Sequence, residues 1–176
     1  MVKEVEKYID KIAPTSKLDA KLIVTLCDKY DLNVTFVLAQ ALIESHFGTR
    51  GKAAITNSVF NVGTFDNGEI RYRYFHPNES VEPFMQLLKK EYLVDKNLSD
   101  LIKDRGYTNV KGKRYATSEI YEESLRTMML KINMETSIEL YEQTLNLPNE
   151  QLLSLFGPSI LLNEQIRDNL LQANLY

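Results

Sequence analysis

The sequence predicts a mainly α fold in which a helical core carries one inserted β-hairpin bordering a cleft, followed by a C-terminal helical extension. Apolar residues recur at helical spacing along most of the chain. Residues 59–75 change to a period of two around an Asn-Gly pair, the strongest short-range hairpin signal. After residue 134, acidic residues predominate. A chain of 176 residues is long enough for one domain and an appendage.

The composition is that of an ordinary globular protein, with 44% hydrophobic and 26% charged residues and a formal net charge of −3. This balance creates no basic field, so nucleic acid is not an expected partner. The single cysteine, Cys27, excludes an internal disulfide and a multi-cysteine zinc site, and is interpreted as a core residue. His46 and His76 are too isolated to suggest a metal pair, and no cofactor is predicted. No run reaches the length of a membrane span.

The first half of the chain predicts three helices. A first helix is expected over residues 1–13, where apolar residues recur every three or four positions until Pro14. Thr15 or Ser16 offers a side-chain cap for a second helix. A central apolar helix is predicted over residues 34–47, and the remaining elements are organised around it.

Glu44 is the one carboxylate of this central helix, and it lies at the edge of the apolar side. Gly48 is expected to supply the left-handed residue that ends the helix, which places Glu44 in the last turn. A carboxyl there should be partly withdrawn from water, and the negative end of the helix dipole also disfavours its charged form. A general acid working near neutral pH needs such surroundings. A solvated or salt-bridged surface glutamate is the alternative interpretation.

Residues 59–65 and 69–75 predict the two strands of the hairpin. Helix resumes at Ser80 or Val81, and Thr117 or Ser118 is expected to cap a further helix. The segment 134–176 keeps helical apolar spacing but contains six acidic residues and one basic residue. We therefore predict two domains, 1–133 and 134–176.

Three short motifs occur in order along the chain. The central helix ends in Glu-Ser-His-Phe-Gly (44–48), residues 57–63 are Asn-Ser-Val-Phe-Asn-Val-Gly, and Tyr-Ala-Thr (115–117) opens a later helix. With a hairpin between them, they resemble the glucosaminidase domains of bacterial autolysins and flagellar-rod hydrolases, glycoside hydrolase family 73 of the lysozyme-like superfamily. There the motifs are typically A-L-E-S-G-W-G, N-L-F-G-I-K and Y-A-T-D. The resemblance covers roughly residues 17–133 and implies a lysozyme-like α+β fold.

The resemblance also implies a set of site residues. Glu44 corresponds to the general acid that protonates the glycosidic oxygen, and Tyr115 to a tyrosine near the reacting sugar. Phe60 and Asn61 correspond to a strand that edges the cleft, and Phe47 stands where a sugar-facing tryptophan is usual. The implied substrate is the glycan of peptidoglycan, cleaved at a β-1,4 bond between amino sugars.

The chain departs from the family pattern at three places. His46-Phe47 stands where Gly-Trp is usual, Gly63 where the family has Lys, and Ser118 where it has Asp. These departures leave open an alternative function, a catalytically inactive lysozyme-like structural or assembly protein of a virion.

The second catalytic group is left open by the sequence. Asp66 and Glu69 flank the predicted turn and could act over the cleft as base or nucleophile. The substrate's own acetamido group, or formation of an anhydro-sugar, could replace them. Phe65, Tyr72 and Tyr74 are candidates to stack on sugar faces, or else to pack the hairpin onto the helices.

The predicted function is therefore a peptidoglycan glycosidase of the endo-β-N-acetylglucosaminidase, muramidase or lytic transglycosylase type. Residues 1–7 contain no apolar signal segment, so we expect synthesis in the cytoplasm. Delivery to the bacterial cell wall as a component of a bacteriophage virion or tail then fits best, with release as an endolysin as the alternative. Residues 134–176 would dock to virion or tail proteins, or pack back on the domain.

Overall fold

The structure is a computed structural model, and it describes residues 1–63 and 68–144, with side chains described as far as residue 136. The α-helices of these residues are α1 (Val2–Ile12), α2 (Ala20–Lys29), α3 (Val34–Ser45), α4 (Ala53–Thr56), α5 (Val81–Leu87), α6 (Leu98–Ile102) and α7 (Tyr121–Thr144). The predicted mainly α fold is confirmed. The chain divides into two units, Met1–Thr136 and Ser137–Tyr176. Most of the predicted extension 134–176 lies outside the described residues.

Three of the α-helices in the described residues begin at side-chain caps, α2 at Asp19, α3 at Asn33 and α6 at Asn97. Asp19 caps α2 by accepting hydrogen bonds from the backbone of Lys21 and Leu22, so the predicted cap at Thr15 or Ser16 was wrong. The Ser16 hydroxyl instead donates to the carbonyl oxygen of Phe47 at 2.8 Å. This bond ties the segment before α2 to the end of α3.

The central helix α3 begins at an Asn33 cap and ends two residues earlier than predicted. His46, rather than Gly48, is the left-handed residue that ends it, with φ 51°. Phe47 and Gly48 continue in left-handed conformations, with φ 56° and 81°. The helix ends early because this tight turn brings the Phe47 N–H to the carbonyl oxygen of Ala41 at 3.1 Å.

The predicted hairpin is not confirmed. Val59 and Phe60 are adjacent yet both buried, whereas a half-buried strand alternates between its faces, and both residues lie in a turn. Across the described part of 59–75 there is one bridge position, Ile70, and no strand. Residues 64–67, which include the predicted turn, lie outside the described residues. The returning segment is instead fastened by single backbone bonds, such as that from Arg71 N to Gly63 O at 2.7 Å.

The helix α7 begins at Tyr121, so the predicted cap at Thr117 or Ser118 was wrong. Glu122, only 1% exposed, instead fastens the preceding loop. Its carboxylate accepts from the Arg114 guanidinium at 2.7 Å and from the Tyr107 backbone N–H at 3.2 Å. None of the helices in the described part of the chain is long and apolar enough to cross a bilayer.

Candidate active site

Glu44 lies in the last turn of α3, half-buried, with its carboxyl group held from two sides. The Tyr121 hydroxyl, from the first turn of α7, donates to Glu44 Oε1. Asn61, from the segment after α4, donates through Nδ2 to Glu44 Oε2 at 3.0 Å and to the Glu44 carbonyl oxygen at 2.8 Å. Three segments that are distant in sequence therefore converge on this one carboxylate and fix its orientation.

Ser45, the second residue of the Glu-Ser pair, is a buried structural link. Its hydroxyl donates to the Val59 carbonyl oxygen at 2.6 Å and accepts from the Gly48 backbone N–H at 2.8 Å. A Cβ at Gly48 would stand 3.3 Å from a Val59 methyl carbon, which leaves little room for a larger residue. The serine thus joins the end of α3 to the segment that carries Asn61.

Three stacked tyrosines lie beside Glu44. The rings of Tyr107 and Tyr115 are 4.6 Å apart between centroids, and those of Tyr115 and Tyr121 are 5.9 Å apart. Burial, reinforced by the charge of Glu44, raises the pKa of both Tyr115 and Tyr121 well above the ordinary value of 10.0. These phenols stay protonated at neutral pH and act as hydrogen-bond donors. The half-buried Tyr115 donates to the Phe60 carbonyl oxygen at 2.7 Å.

Phe47 and Phe60, predicted to contact sugar, are core residues with exposed fractions of 0% and 1%. The left-handed turn after α3 brings the Phe47 ring against Tyr8 of α1, edge-on at 6.2 Å. The Phe60 ring is stacked on Phe84 of α5 at 3.8 Å. A buried ring has no face to offer a ligand, so the predicted sugar contacts at these two positions are corrected to packing roles.

Residues 68–75 form a largely exposed segment. Tyr72 keeps 53% of its surface exposed while its ring covers Gly63, where a Cβ would come within 2.1 Å of the ring. This contact explains a glycine at a position where the family usually has lysine. Tyr74 is half-buried and anchored, since its N–H donates to Thr56 O and its carbonyl oxygen accepts from Asn57 Nδ2, both at 2.8 Å.

The candidate second carboxylates are less defined than Glu44. Glu69 lies in the exposed segment, and its carboxylate accepts from Arg71 Nε at 2.7 Å. Asp66 and Phe65 fall outside the described residues. The structure therefore brings Glu44, Asn61 and Tyr115 into one region, while Glu69 is engaged by its own neighbour.

Sequence reasoning missed three residues near Glu44, namely Gln40, Tyr107 and Tyr121. Gln40 carries a usable signal, because it is a polar residue in the buried stretch of α3 and precedes Glu44 by one helical turn. The two tyrosines carry none, because they reach Glu44 only through tertiary packing of elements far along the chain.

The family model Glucosaminidase, described as mannosyl-glycoprotein endo-β-N-acetylglucosaminidase, matches residues 20–134. The chain belongs to this family. The family resemblance predicted from the three motifs is thereby confirmed. No curated protein matches the chain.

The matched range of this glucosaminidase domain contains the whole site, from Gln40 and Glu44 on α3 to Tyr121 on α7. Membership of the family makes the domain a glycosidase of the peptidoglycan-hydrolase kind. The same range begins at Ala20, the first residue of α2, so α1 precedes the matched part of the chain.

Proposed function

We propose that this glucosaminidase domain cleaves the glycan strands of peptidoglycan at a β-1,4 bond on the reducing side of an N-acetylglucosamine, with Glu44 as general acid. One observation carries the proposal: the Glu44 carboxyl is half-buried and held by donors from two other segments, Tyr121 and Asn61. A carboxyl whose orientation is fixed in this way can be aimed at a bound substrate without reorganising during the reaction.

In this mechanism the Glu44 carboxyl transfers its proton to the linking oxygen as the bond from C1 of the sugar to that oxygen breaks. The leaving sugar departs as a neutral alcohol, and a water molecule adds to C1 while it gives up one proton to a carboxylate, so that the enzyme's proton count is restored. Tyr115, stacked beside Tyr121, lines the approach to the reacting sugar. Tyr72 provides an exposed ring, supported by Gly63, on which a sugar face can stack.

We assign Glu69 as the second catalytic carboxylate, supported by its exposure and by the anchoring of its segment beside the Asn61 loop. The Arg71 guanidinium donates to this carboxylate at 2.7 Å and holds it in place. We expect the substitution Glu69→Gln to lower kcat by roughly 10²-fold. A change of less than threefold would instead assign the second role to the substrate's acetamido group.

The test of substrate class is zymography on purified cell walls with the full chain. Wild type and the control Glu123→Gln, a change of an exposed carboxylate on α7, should clear the wall, and Glu44→Gln should not. Equal clearing by wild type and Glu44→Gln would remove Glu44 from the mechanism. No clearing by any of the three would favour the inactive structural protein.

The bond is identified by mass spectrometry of the released fragments after borohydride reduction. The proposal predicts reduced N-acetylglucosamine at the new ends. Reduced muramic acid would make the enzyme a muramidase, and anhydro-muramic ends would make it a lytic transglycosylase.

We further propose that the enzyme reaches the wall as part of a bacteriophage virion. The support comes from the sequence, because residues 134–176 combine six acidic residues with apolar residues at helical spacing, as a docking segment would. Purified virions should then contain the chain by mass spectrometry and clear the wall on a zymogram. Its presence only in the lysate would favour release as an endolysin.

A further inference from the structure

A chain of hydrogen bonds runs behind Glu44, on the side away from Asn61. Tyr107 donates through its hydroxyl to Gln40 Oε1 at 3.2 Å, and Gln40 donates through Nε2 to the Tyr121 oxygen at 2.7 Å. Tyr121 in turn donates to Glu44 Oε1. Gln40, on α3 one turn before Glu44, is 0% exposed. We refer to Tyr107, Gln40 and Tyr121 as the relay.

The donors and acceptors that these three side chains offer set the direction of the hydrogen bonds in the relay. A phenol has one proton to donate, whereas a carboxamide donates only from its nitrogen and accepts only at its oxygen. The Tyr121 oxygen already accepts from Gln40, so its single proton is left for Glu44. Tyr107 holds the Gln40 amide in this orientation by donating to its oxygen.

Both phenols keep their protons under working conditions. Burial raises the pKa of Tyr107 and of Tyr121 well above 10.0, and the nearby charge of Glu44 adds to the effect. The other phenols of this cluster, Tyr92 and Tyr115, also have raised pKa values because of burial. Tyr115 donates its own proton to the Phe60 carbonyl oxygen, and its hydroxyl also interacts with the Gln40 side chain.

We infer that Gln40 is a positioning residue of the glycosidase reaction, which orients the Tyr121 proton toward Glu44 Oε1 and so holds the carboxyl group in one orientation. This inference rests on the proposed role of Glu44 as general acid. Oε2 is the oxygen that Asn61 contacts, at 3.0 Å. Tyr121 and Asn61 thus each hold one of the two carboxyl oxygens, and Gln40 sets the direction of the Tyr121 bond.

The test is the substitution Gln40→Met, which keeps a side chain of similar length and removes both hydrogen bonds. Without its donor, Tyr121 is a weaker and less oriented donor to Glu44, which disfavours the charged carboxylate. In the full chain labelled with ¹³C-glutamate, with the resonance assigned through Glu44→Gln, the titration midpoint of Glu44 should move up by about half a pH unit or more. The kcat should fall about tenfold while KM changes less than threefold.

The matched control is Tyr92→Phe, which removes a phenol hydroxyl from the same aromatic cluster without altering the relay. The titration midpoint of Glu44 in this variant should equal that in wild type. Tyr107→Phe removes the group that holds the Gln40 amide and should give a smaller shift than Gln40→Met. It also serves as the test if Gln40→Met fails to fold.

An unchanged Glu44 midpoint in a folded Gln40→Met or Tyr107→Phe protein would overturn the inference, as would an equal shift in Tyr92→Phe. The titration is read from the resting protein and needs no substrate. If wild type cleaves no glycan, the proposed function fails while the relay is still tested, so the two failures are distinguishable.

Discussion

The two sides of the Glu44 site are built differently. On one side the relay residues are buried and joined side chain to side chain. On the other, the segment 68–75 is largely exposed and is fastened by isolated bonds such as Arg71 N to Gly63 O. A proton donor needs a fixed orientation, whereas a surface for a long polymer needs to be open. In the function that we propose, the core of the domain supplies the acid and the exposed segment supplies the sugar contacts.

The largest expected effect on stability comes from the buried ion pair between Glu122 and Arg114, which fastens the loop that carries Tyr107. The substitution Glu122→Ala leaves the Arg114 guanidinium and the Tyr107 N–H without this acceptor. We expect a loss of about 3 kcal/mol in the free energy of unfolding, measured by urea denaturation. The neighbouring exposed change Glu123→Ala should cost less than about 0.5 kcal/mol. An equally small loss in the free energy of unfolding for Glu122→Ala and Glu123→Ala would show that the fold does not depend on the Glu122–Arg114 pair.

A smaller loss of stability is expected from a substitution at Gly63, which the ring of Tyr72 covers. In Gly63→Ala the new Cβ would meet the Tyr72 ring at 2.1 Å, in a residue whose φ is 72°. The variant should lose about 2 kcal/mol of stability, since the ring must move and the backbone is strained. Gly68→Ala, with φ 89° and open space, should lose only about 1 kcal/mol. Equal losses would mean that Tyr72 is not held on Gly63.

Alkaline pH should destabilise the folded protein through its buried phenols. The phenols of Tyr107, Tyr115 and Tyr121 have pKa values raised by burial, so above pH 10 the unfolded chain loses protons that the folded state retains. Stability is therefore fully present below pH 10 and falls as pH rises above it, by up to about 1.4 kcal/mol per pH unit for each phenol. Urea midpoints measured from pH 8 to 11 should show this decline, and Tyr121→Phe should make it shallower. A flat profile would contradict the burial of these hydroxyls.

A substitution in the exposed segment 68–75 should change substrate binding, measured as KM, rather than the rate of bond cleavage, measured as kcat. Removing the ring in Tyr72→Ala is expected to raise KM about fivefold, equivalent to about 1 kcal/mol, with kcat changed less than twofold. Steady-state rates on soluble glycan fragments provide the measurement. A loss confined to kcat would place Tyr72 with the acid rather than with the sugar contacts.

The smallest expected change in stability comes from a substitution in the turn that ends α3. His46 has φ 51°, a conformation that glycine adopts without strain and that the family pattern fills with glycine. His46→Gly should stabilise the protein by about 0.5 kcal/mol, visible as a higher Tm. A lower Tm would indicate that the contact of His46 Nδ1 with the Thr49 hydroxyl, at 3.2 Å, outweighs the strain.

The sequence predicted the helices and the place of Glu44 because these depend on local periodicity and capping. It failed at Phe47 and Val59, where a left-handed turn and two consecutive buried residues override the expected pattern. The relay could not be predicted from the sequence, because Gln40 and Tyr121 are 81 residues apart and meet only in the folded chain. A tyrosine's partner is set by tertiary packing, which one sequence does not reveal.

The most direct test of Glu44 as general acid varies the leaving group. Wild type and Glu44→Gln should be compared on an N-acetylglucosamine oligosaccharide with a sugar leaving group and on its 2,4-dinitrophenyl glycoside, whose leaving group needs no protonation. We expect Glu44→Gln to lose roughly 10²–10⁴-fold in kcat on the first substrate and less than tenfold on the second. Equal losses on both substrates, or no loss on either, would contradict this role of Glu44.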